Sequence, residues 1–207
     1  MYNELLKAGL TEEILKKLSY HTNLKISLTR SLRHFEKQEL LLDIKNMIYF
    51  YNTTELIEDL AIDCRIKSID SCIRKYDKFY PEMRVEKTFN DILGFRLLCD
   101  NYDDILEHEK VNGIRIADMS SGKANDDGYR GVHMYYQMDH QHYPIEIQVN
   151  TFYDRQMNNW LHKYLYKKKY ANDIGVQLRK MYENGEISNE KIFKEMLEHV
   201  LFNSKKI

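Results

Sequence analysis

Two carboxylates are chemically suggestive because of the residues around them. Asp91 opens the run DILGFRLLC (91–99), with Arg96 a few positions on. An acid at the mouth of a buried strand is either a cap or a metal ligand. Glu146 lies in YPIEIQV (143–149), downstream of RGVHMYYQM (130–138), which brings Tyr129, Arg130, His133 and Gln148 into its vicinity. A third group is Arg65, Lys67, Ser71 and Lys75. Ser71 and Lys75 stand i and i+4 on one helix face, and Arg65 and Lys67 lie just before its start. A helix N-terminus with nearby cations suits an anion. Two acids on different strands beside a ring of cations form the set that phosphate transfer requires. Mg²⁺ takes octahedral oxygen ligands and keeps several waters, so one or two carboxylates suffice. A charge-assisted hydrogen bond contributes about 1.5–3 kcal/mol, enough for four or five to hold a nucleotide. No GxxxxGK[ST], CxxC, HExxH or GxSxG motif occurs, which excludes a P-loop enzyme and the zinc and serine-hydrolase patterns.

The elements that must position these groups are legible in the patterning. The segment RIKSIDSCIRKYDKFY predicts a helix starting near Ser68, and residues 92–99 a buried strand. GIRIAD (113–118) predicts another short strand. Residues 130–138 and 143–149 predict a hairpin around a four-residue loop at 139–142. Val132, Met134, Tyr136 and Met138 alternate with His133, Tyr135 and Gln137, and Ile145, Ile147 and Val149 alternate with Glu146 and Gln148. Tyr135 then opposes Glu146 and His133 opposes Gln148, so one face packs and the other collects polar groups. The first 63 residues read as helices, with Thr11 as a cap and apolar spacing at Leu40, Leu41, Ile44, Met47, Ile48 and again at Leu56, Ile57, Leu60, Ala61. Ile192, Phe193, Met196, Leu197, Val200 and Leu201 form a C-terminal stripe suited to core or oligomer contact. The sum is an α+β fold, a small mixed β-sheet flanked by N- and C-terminal helices. It is read as one domain over 1–207, with helices at 1–63, a catalytic core at 64–168 and helices at 169–207.

The chain has 207 residues, 43% hydrophobic and 30% charged, with 2 Pro and 8 Gly. That is globular composition with long regular elements. No run approaches the roughly 18–20 apolar residues of a membrane span. The start has early acids and no apolar stretch, so no secretory signal is expected. Cys64, Cys72 and Cys99 form no zinc or disulfide pattern and suit a reducing cytoplasm. The net charge is −1, yet residues 14–37 and 161–180 each carry a net +5 and residues 38–64 a net −5. Such asymmetry creates local positive surface or, equally, solvated helix faces.

RIKSIDSCIRK (65–75), DILGFR (91–96), DDGYRGVH (126–133) and EIQVNT (146–151), with WLHKYLYKK (160–168) as a weaker echo, together resemble the synthetase domain of the RelA/SpoT family. Among its members they are most similar to the short, single-domain small alarmone synthetases. The resemblance implies a nucleotidyltransferase-like fold and transfer of the β,γ-pyrophosphate of ATP to a ribose 3′-oxygen, with Mg²⁺ as cofactor. Arg65 and Arg96 match the pair that sandwiches adenine. Lys67, Ser71 and Lys75 match the phosphate-binding groups, and Asp91 the metal ligand. Glu146 matches the second acid, which helps hold metal and activates the acceptor hydroxyl. Tyr129 matches the aromatic that stacks on the acceptor base, with His133 and Gln148 as its polar neighbours.

The departures fall on the acceptor side. Arg96 and Gly128 are 32 positions apart, which is short for the family. The family loop D-Y-I-x-x-P-K-x-N-G-Y appears as DMSSGKANDDGY, displacing Lys123. Asn150 stands where an Arg is usual, and Leu161 where a Glu is usual. The toxic branch of the family, which pyrophosphorylates the 3′-CCA end of tRNA and inhibits translation, needs no grip on a 5′-triphosphate, and the YRGVH form resembles it. That reading assigns acceptor contacts to Lys123 and Arg130 and tRNA contacts to Lys16, Lys17, Lys168 and Lys169, and it admits a cognate antitoxin or a homo-oligomer. The alternative is (p)ppGpp synthesis from GDP or GTP. A third class, a nucleotide sensor without catalysis, sits poorly with two retained carboxylates.

Overall fold

A computed structural model of the chain describes residues 9–58, 60–106, 113–168 and 170–204. Its order is α1 (Glu12–Leu18), α2 (Lys37–Thr53), β1 (Asp63–Ile66), α3 (Ile69–Phe79), α4 (Val85–Thr88), β2 (Leu93–Cys99), α5 (Asp103–Leu106), β3 (Ile114–Met119), β4 (Gly131–Tyr136), β5 (Ile145–Thr151), α6 (Phe152–Tyr164), α7 (Asn172–Glu183) and α8 (Glu190–Ser204). The five strands form one sheet in the order β1-β2-β5-β4-β3. This is the expected α+β arrangement of a small sheet with helices before and after it. Among the described residues no helix is long and apolar enough to cross a membrane.

The chain packs as two compact units. Among the described residues, one comprises 9–58, 60–97, 104–106, 113–116 and 133–148, and the other 98–103, 117–132, 149–168 and 170–204. In the first, Leu40, Ile44, Met47 and Tyr51 of α2 and Cys72 and Tyr76 of α3 are buried, as are Leu93 and Phe95 of β2 and Met134 and Tyr136 of β4. Ser68 caps α3, its side chain accepting from the backbone N–H of Ser71. Thr11 caps α1 in the same way, accepting from Ile14. In the second unit Trp160, Leu161 and Leu165 pack with Ile174, Leu178, Tyr182, Phe193, Leu197 and Val200. The C-terminal stripe is therefore internal core.

Three expectations differ from the structure. Residues between α1 and α2 are largely irregular, because polar side chains there offer the backbone other partners. Asp43 accepts from Thr22 Oγ1 at 2.6 Å, from the Asn23 backbone N–H at 3.0 Å and from the Tyr143 hydroxyl at 3.0 Å. The helical spacing at 56–61 yields only a 3₁₀ turn, Glu55–Ile57. The β4–β5 connection also runs longer than four residues. The backbone N–H of Thr22 donates to Gln141 O at 2.8 Å and that of Tyr143 to Tyr20 O at 3.2 Å, so the N-terminal segment takes Tyr143, which the hairpin would have paired, as well as the loop residue Gln141.

Candidate active site

The pairing of β1 with β2 builds the first half of the site. The strands are antiparallel, with Asp63 opposite Arg96, Arg65 opposite Gly94 and Ile66 opposite Leu93. Opposed residues share a face, so Arg65 and Arg96 lie diagonally on one face, roughly 7–8 Å apart by strand geometry. That spacing admits one planar ring between two guanidinium planes. Arg96 Nη1 donates to Asp63 Oδ2 at 3.2 Å, which orients it.

One residue beyond β1, the Lys67 backbone N–H donates to Ile92 O at 2.8 Å. This brings Lys67 beside Asp91. The Lys67 ammonium bonds Asp91 Oδ2, and Lys75, from the second turn of α3, bonds Oδ1 at 2.9 Å. Burial alone would raise the Asp91 carboxyl, but the charges of Lys75 and Lys67 outweigh it and hold the group below the ordinary aspartate value. Asp91 is thus a carboxylate between two cations, beyond the cap-or-ligand alternatives of the sequence. Ser71, in the first turn of α3, shares its hydroxyl with Ser68 at 3.0 Å and accepts from Arg74 at 3.0 Å.

A pH dependence follows. A depressed folded value stabilises the protein fully above the unfolded value, near pH 4, and that stabilisation is lost as pH falls through the lower folded value. Asp91→Asn removes the contribution. Urea unfolding is expected to show a larger stability gap between wild type and Asp91→Asn at about pH 7 than at about pH 3; an equal gap at both would contradict the pairing.

The polar face of β4 and β5 supplies the second half. Glu146 is buried, and both its oxygens are engaged. Oε1 accepts from His133 Nδ1 at 3.0 Å and from the Tyr135 hydroxyl at 3.2 Å, while Oε2 accepts from Gln148 Nε2 at 2.9 Å. The Nδ1–H tautomer of His133 is assigned from this pairing, since an ionised carboxylate only accepts. Burial first, and then the Glu146 charge, push the Tyr135 hydroxyl well above its usual value, so it stays a donor. A Cβ on Gly94 would lie 3.5 Å from Glu146 Oε2, so β2 presents its one side-chain-free position against this acid.

Arg65, Asp91, Gly94, Phe95, Arg96, His133, Glu146 and Gln148 line one cavity of about 200 Å³. Among the described residues no group of three or more His, Cys, Asp or Glu is placed to hold an ion by itself. Two carboxylates opening on one cavity, each with lone pairs left over, do fit Mg²⁺, which takes its other oxygens from phosphate and water.

Tyr129, Lys123 and Arg130, which the resemblance and the sequence reading assign to the acceptor, fall in the second unit. Gly128 has φ +86°, and a Cβ on it would meet the Gly175 carbonyl oxygen at 2.3 Å, so this turn admits only glycine. Asp126 and Asp127 cap the turn by accepting from the backbone N–H groups of Gly128 and Tyr129 at 3.0 and 3.1 Å. The same acids take the side-chain cations. Arg130 bonds Asp126 in bidentate fashion at 2.8 and 3.1 Å, and Lys123 bonds Asp127 at 2.7 Å while its ammonium lies 4.7 Å from the Tyr129 ring centroid. Asn150 is buried and donates to Arg130 O at 2.9 Å, and Leu161 is core.

The basic segments are only partly surface. Lys16 and Lys17 form helix pairs with Glu12 and Glu13 at 2.7 Å. Lys168 is exposed, and Lys169 lies outside the described residues. Arg179, counted among the surface charges of 161–180, is fully buried. It donates to Gly128 O at 2.7 Å, Asp154 Oδ1 at 2.7 Å and Asn158 Oδ1 at 3.1 Å. Asn158 in turn donates to Arg130 O at 2.7 Å and accepts from its backbone N–H at 3.2 Å. These residues clamp the backbone on both sides of Tyr129, and composition alone did not reveal them.

No curated protein matches the chain. Among solved structures, small alarmone synthetase 1 from Bacillus subtilis bound to its product pppGpp is similar at 23% identity and TM-score 0.43, covering 78% of this chain and 88% of that one. Small alarmone synthetase 2 from Bacillus subtilis follows at 19%, TM-score 0.42, covering 82% and 98%. A GTP pyrophosphokinase family protein from Streptococcus pneumoniae stands at 20%, TM-score 0.39, covering 82% and 90%. The model of the region found in RelA and SpoT proteins matches residues 64–171, just over half of the chain and the stretch that contains Asp91, Tyr129 and Glu146; the chain belongs to the RelA/SpoT family.

Proposed function

We propose that the protein is an ATP-dependent pyrophosphokinase whose acceptor is the 3′-terminal adenosine of tRNA. The observation that carries the transfer is the single cavity in which Asp91 and Glu146 open beside Arg65 and Arg96. Arg65 and Arg96 would hold the adenine between their planes. Lys67 and Lys75, now on Asp91, are the cations a triphosphate would recruit, with Ser71 beside them. Asp91 and Glu146 would hold Mg²⁺, which offsets phosphate charge when bound. The acceptor 3′-oxygen attacks the β-phosphorus of ATP, and the bond from that phosphorus to the α,β-bridging oxygen breaks. The electron pair leaves on AMP, and Glu146 takes the hydroxyl proton. His133, Tyr135 and Gln148 fix the direction of the Glu146 oxygens. Positioning and preorganised charge supply most of the rate in such transfers.

The choice of acceptor is supported by how the cations of the second unit are used. Lys123 and Arg130 are each tied to an acid, and Asn150 is a buried amide where the family carries a cation. Such a loop offers little to a 5′-triphosphate and suits a terminal adenosine. Tyr129 would stack on its base, and exposed lysines such as Lys168 would meet the RNA backbone in a salt-dependent way. The deciding experiment incubates purified protein with γ-labelled ATP and either bulk tRNA or GDP and GTP. Label in tRNA is expected. Label in a guanosine nucleotide replaces the acceptor, and label in neither removes the enzyme. For Tyr129→Ala the expected result is a rise in acceptor KM of about 10- to 100-fold, the value of one base–aromatic stack, with ATP affinity unchanged. An unaltered KM would remove Tyr129 from the acceptor site.

A further inference from the structure

Within the second unit, one carboxylate serves both the backbone of Tyr129 and a cation over its ring. Asp127 Oδ1 accepts from the Tyr129 backbone N–H at 3.1 Å, and Oδ2 takes the Lys123 ammonium at 2.7 Å. That ammonium lies 4.7 Å from the Tyr129 ring centroid and 5.9 Å from that of Tyr166, within cation–π reach of both. The Tyr166 hydroxyl donates to Asp127 O at 3.3 Å. Burial first, and then the Asp127 charge, push this hydroxyl well above its usual value, so it stays a donor. We infer that Lys123 is a positioning residue, whose ammonium backs one face of the Tyr129 ring and leaves the other to the acceptor base. The inference rests on the reading of Tyr129 as the aromatic that stacks on that base. It replaces the direct acceptor contact that the sequence suggests for Lys123.

A stacking tyrosine on a loop needs more than a fixed backbone. The clamp of Arg179, Asn158 and Asn150 holds the main chain at Gly128 and Arg130, but it leaves the Tyr129 side chain its rotamers. Two contacts restrict the ring itself. One is the Lys123 ammonium over its face. The other is Gly131, where a Cβ would lie 2.9 Å from the Tyr129 hydroxyl oxygen and 3.2 Å from Cε1, so the ring edge rests against backbone there. A side chain ordered before the ligand arrives spares the cost of ordering it on binding. The cation adds an electronic effect. The face of an aromatic ring is negative, and an ammonium on one side draws that density toward itself. The opposite side then repels the electron-rich face of a purine less.

The state of the Lys123 charge agrees with this role rather than with a phosphate contact. Its side chain is 33% exposed and that of Asp127 19%, so the pair is partly withdrawn from water. A phosphate reaching Lys123 would have to displace a carboxylate that also holds the Tyr129 backbone, and so would loosen the stacking residue it depends on. An ion pair that merely braces the turn predicts lower stability in a Lys123 variant and no change confined to acceptor binding, which is what the test reads.

The test uses the full chain with Lys123→Met, which keeps the apolar stem and removes the charge, Lys123→Arg, Tyr129→Ala and the double variant Lys123→Met/Tyr129→Ala. The acceptor is an RNA oligonucleotide ending in CCA, or GDP where the label goes there instead. Lys123→Met is expected to raise the acceptor KM about three- to tenfold, with kcat and ATP affinity unchanged. Lys123→Arg, which can still bond Asp127 and lie over the ring, should restore most of that loss. In the Tyr129→Ala background Lys123→Met should change KM no further, since a residue that acts through the ring has nothing left to act on. Fluorescence anisotropy of the RNA should give the same salt slope for Lys123→Met as for wild type. A slope shallower by roughly 0.7, with KM effects that add to those of Tyr129→Ala, shows a direct phosphate contact and overturns the inference. A lowered KM in Lys123→Met also overturns it, by showing that the ammonium occupies the place of the base. So does an unchanged KM in Lys123→Met where Tyr129→Ala raises KM, and the stacking reading then stands. An unchanged KM in Tyr129→Ala, or a wild-type protein that labels neither acceptor, removes the reading of Tyr129 itself, and this inference falls with it.

Discussion

Glu146→Gln is expected to lower pyrophosphate transfer by about 10²–10⁴-fold, the usual weight of a general base, while the protein stays folded and binds ATP. The carboxylate is held at both ends, by His133 and Tyr135 on Oε1 and by Gln148 on Oε2. An amide of the same shape cannot take the proton of the acceptor hydroxyl. It also turns an NH₂ toward groups that now donate. Tyr135 can rotate its hydroxyl to accept, and His133 can adopt its other tautomer, so the amide finds partners on that side and the fold survives. ATP still binds because the adenine and phosphate groups of the site, Arg65, Arg96, Lys67 and Lys75, and the carboxylate of Asp91 are untouched, with only the share of Mg²⁺ that Glu146 would hold lost. Labelled transfer and nucleotide binding, measured on the same preparation with a circular-dichroism check, decide it. Wild-type turnover in Glu146→Gln would exclude the acid from the chemistry.

The parts of this site that were legible in the sequence are those written in short-range pattern. Ser68 followed by an amphipathic run located α3, and residues 92–99 located β2. Period-two alternation placed His133, Tyr135, Glu146 and Gln148 on one polar face, and their mutual hydrogen bonds bear that out. What stayed hidden depends on long-range partners. That Asp91 sits between Lys67 and Lys75 follows from the β1–β2 register, which no local window contains. The irregular segment before α2 follows from Asp43, twenty positions away from the backbone it captures. Arg179 was misplaced for a different reason. A tally of charges treats every arginine as surface, yet Gly175, Leu178, Arg179 and Tyr182 share one helical face and all are buried. An arginine on an apolar stripe is a signal of a buried partner, and here that partner is Asp154, three residues after the Thr151 that caps α6.

Arg179→Met should accordingly cost about 3–5 kcal/mol of stability, the range for breaking a buried ion pair by removing one partner. The guanidinium is fully buried and serves three acceptors at once: Asp154, Asn158 and the carbonyl of Gly128. Methionine fills much of the volume but leaves the Asp154 carboxylate with Tyr102 Oη at 2.7 Å and Thr151 Oγ1 at 3.0 Å as its remaining hydrogen-bond donors. The loss is therefore an uncompensated charge rather than a cavity. A second substitution separates the two. Arg179→Met combined with Asp154→Leu removes the orphaned charge and should recover part of the stability, whereas a packing defect would only deepen. Urea unfolding of wild type, the two single variants and the double variant gives the coupling directly. Additive losses would show that the pair contributes nothing beyond its separate contacts.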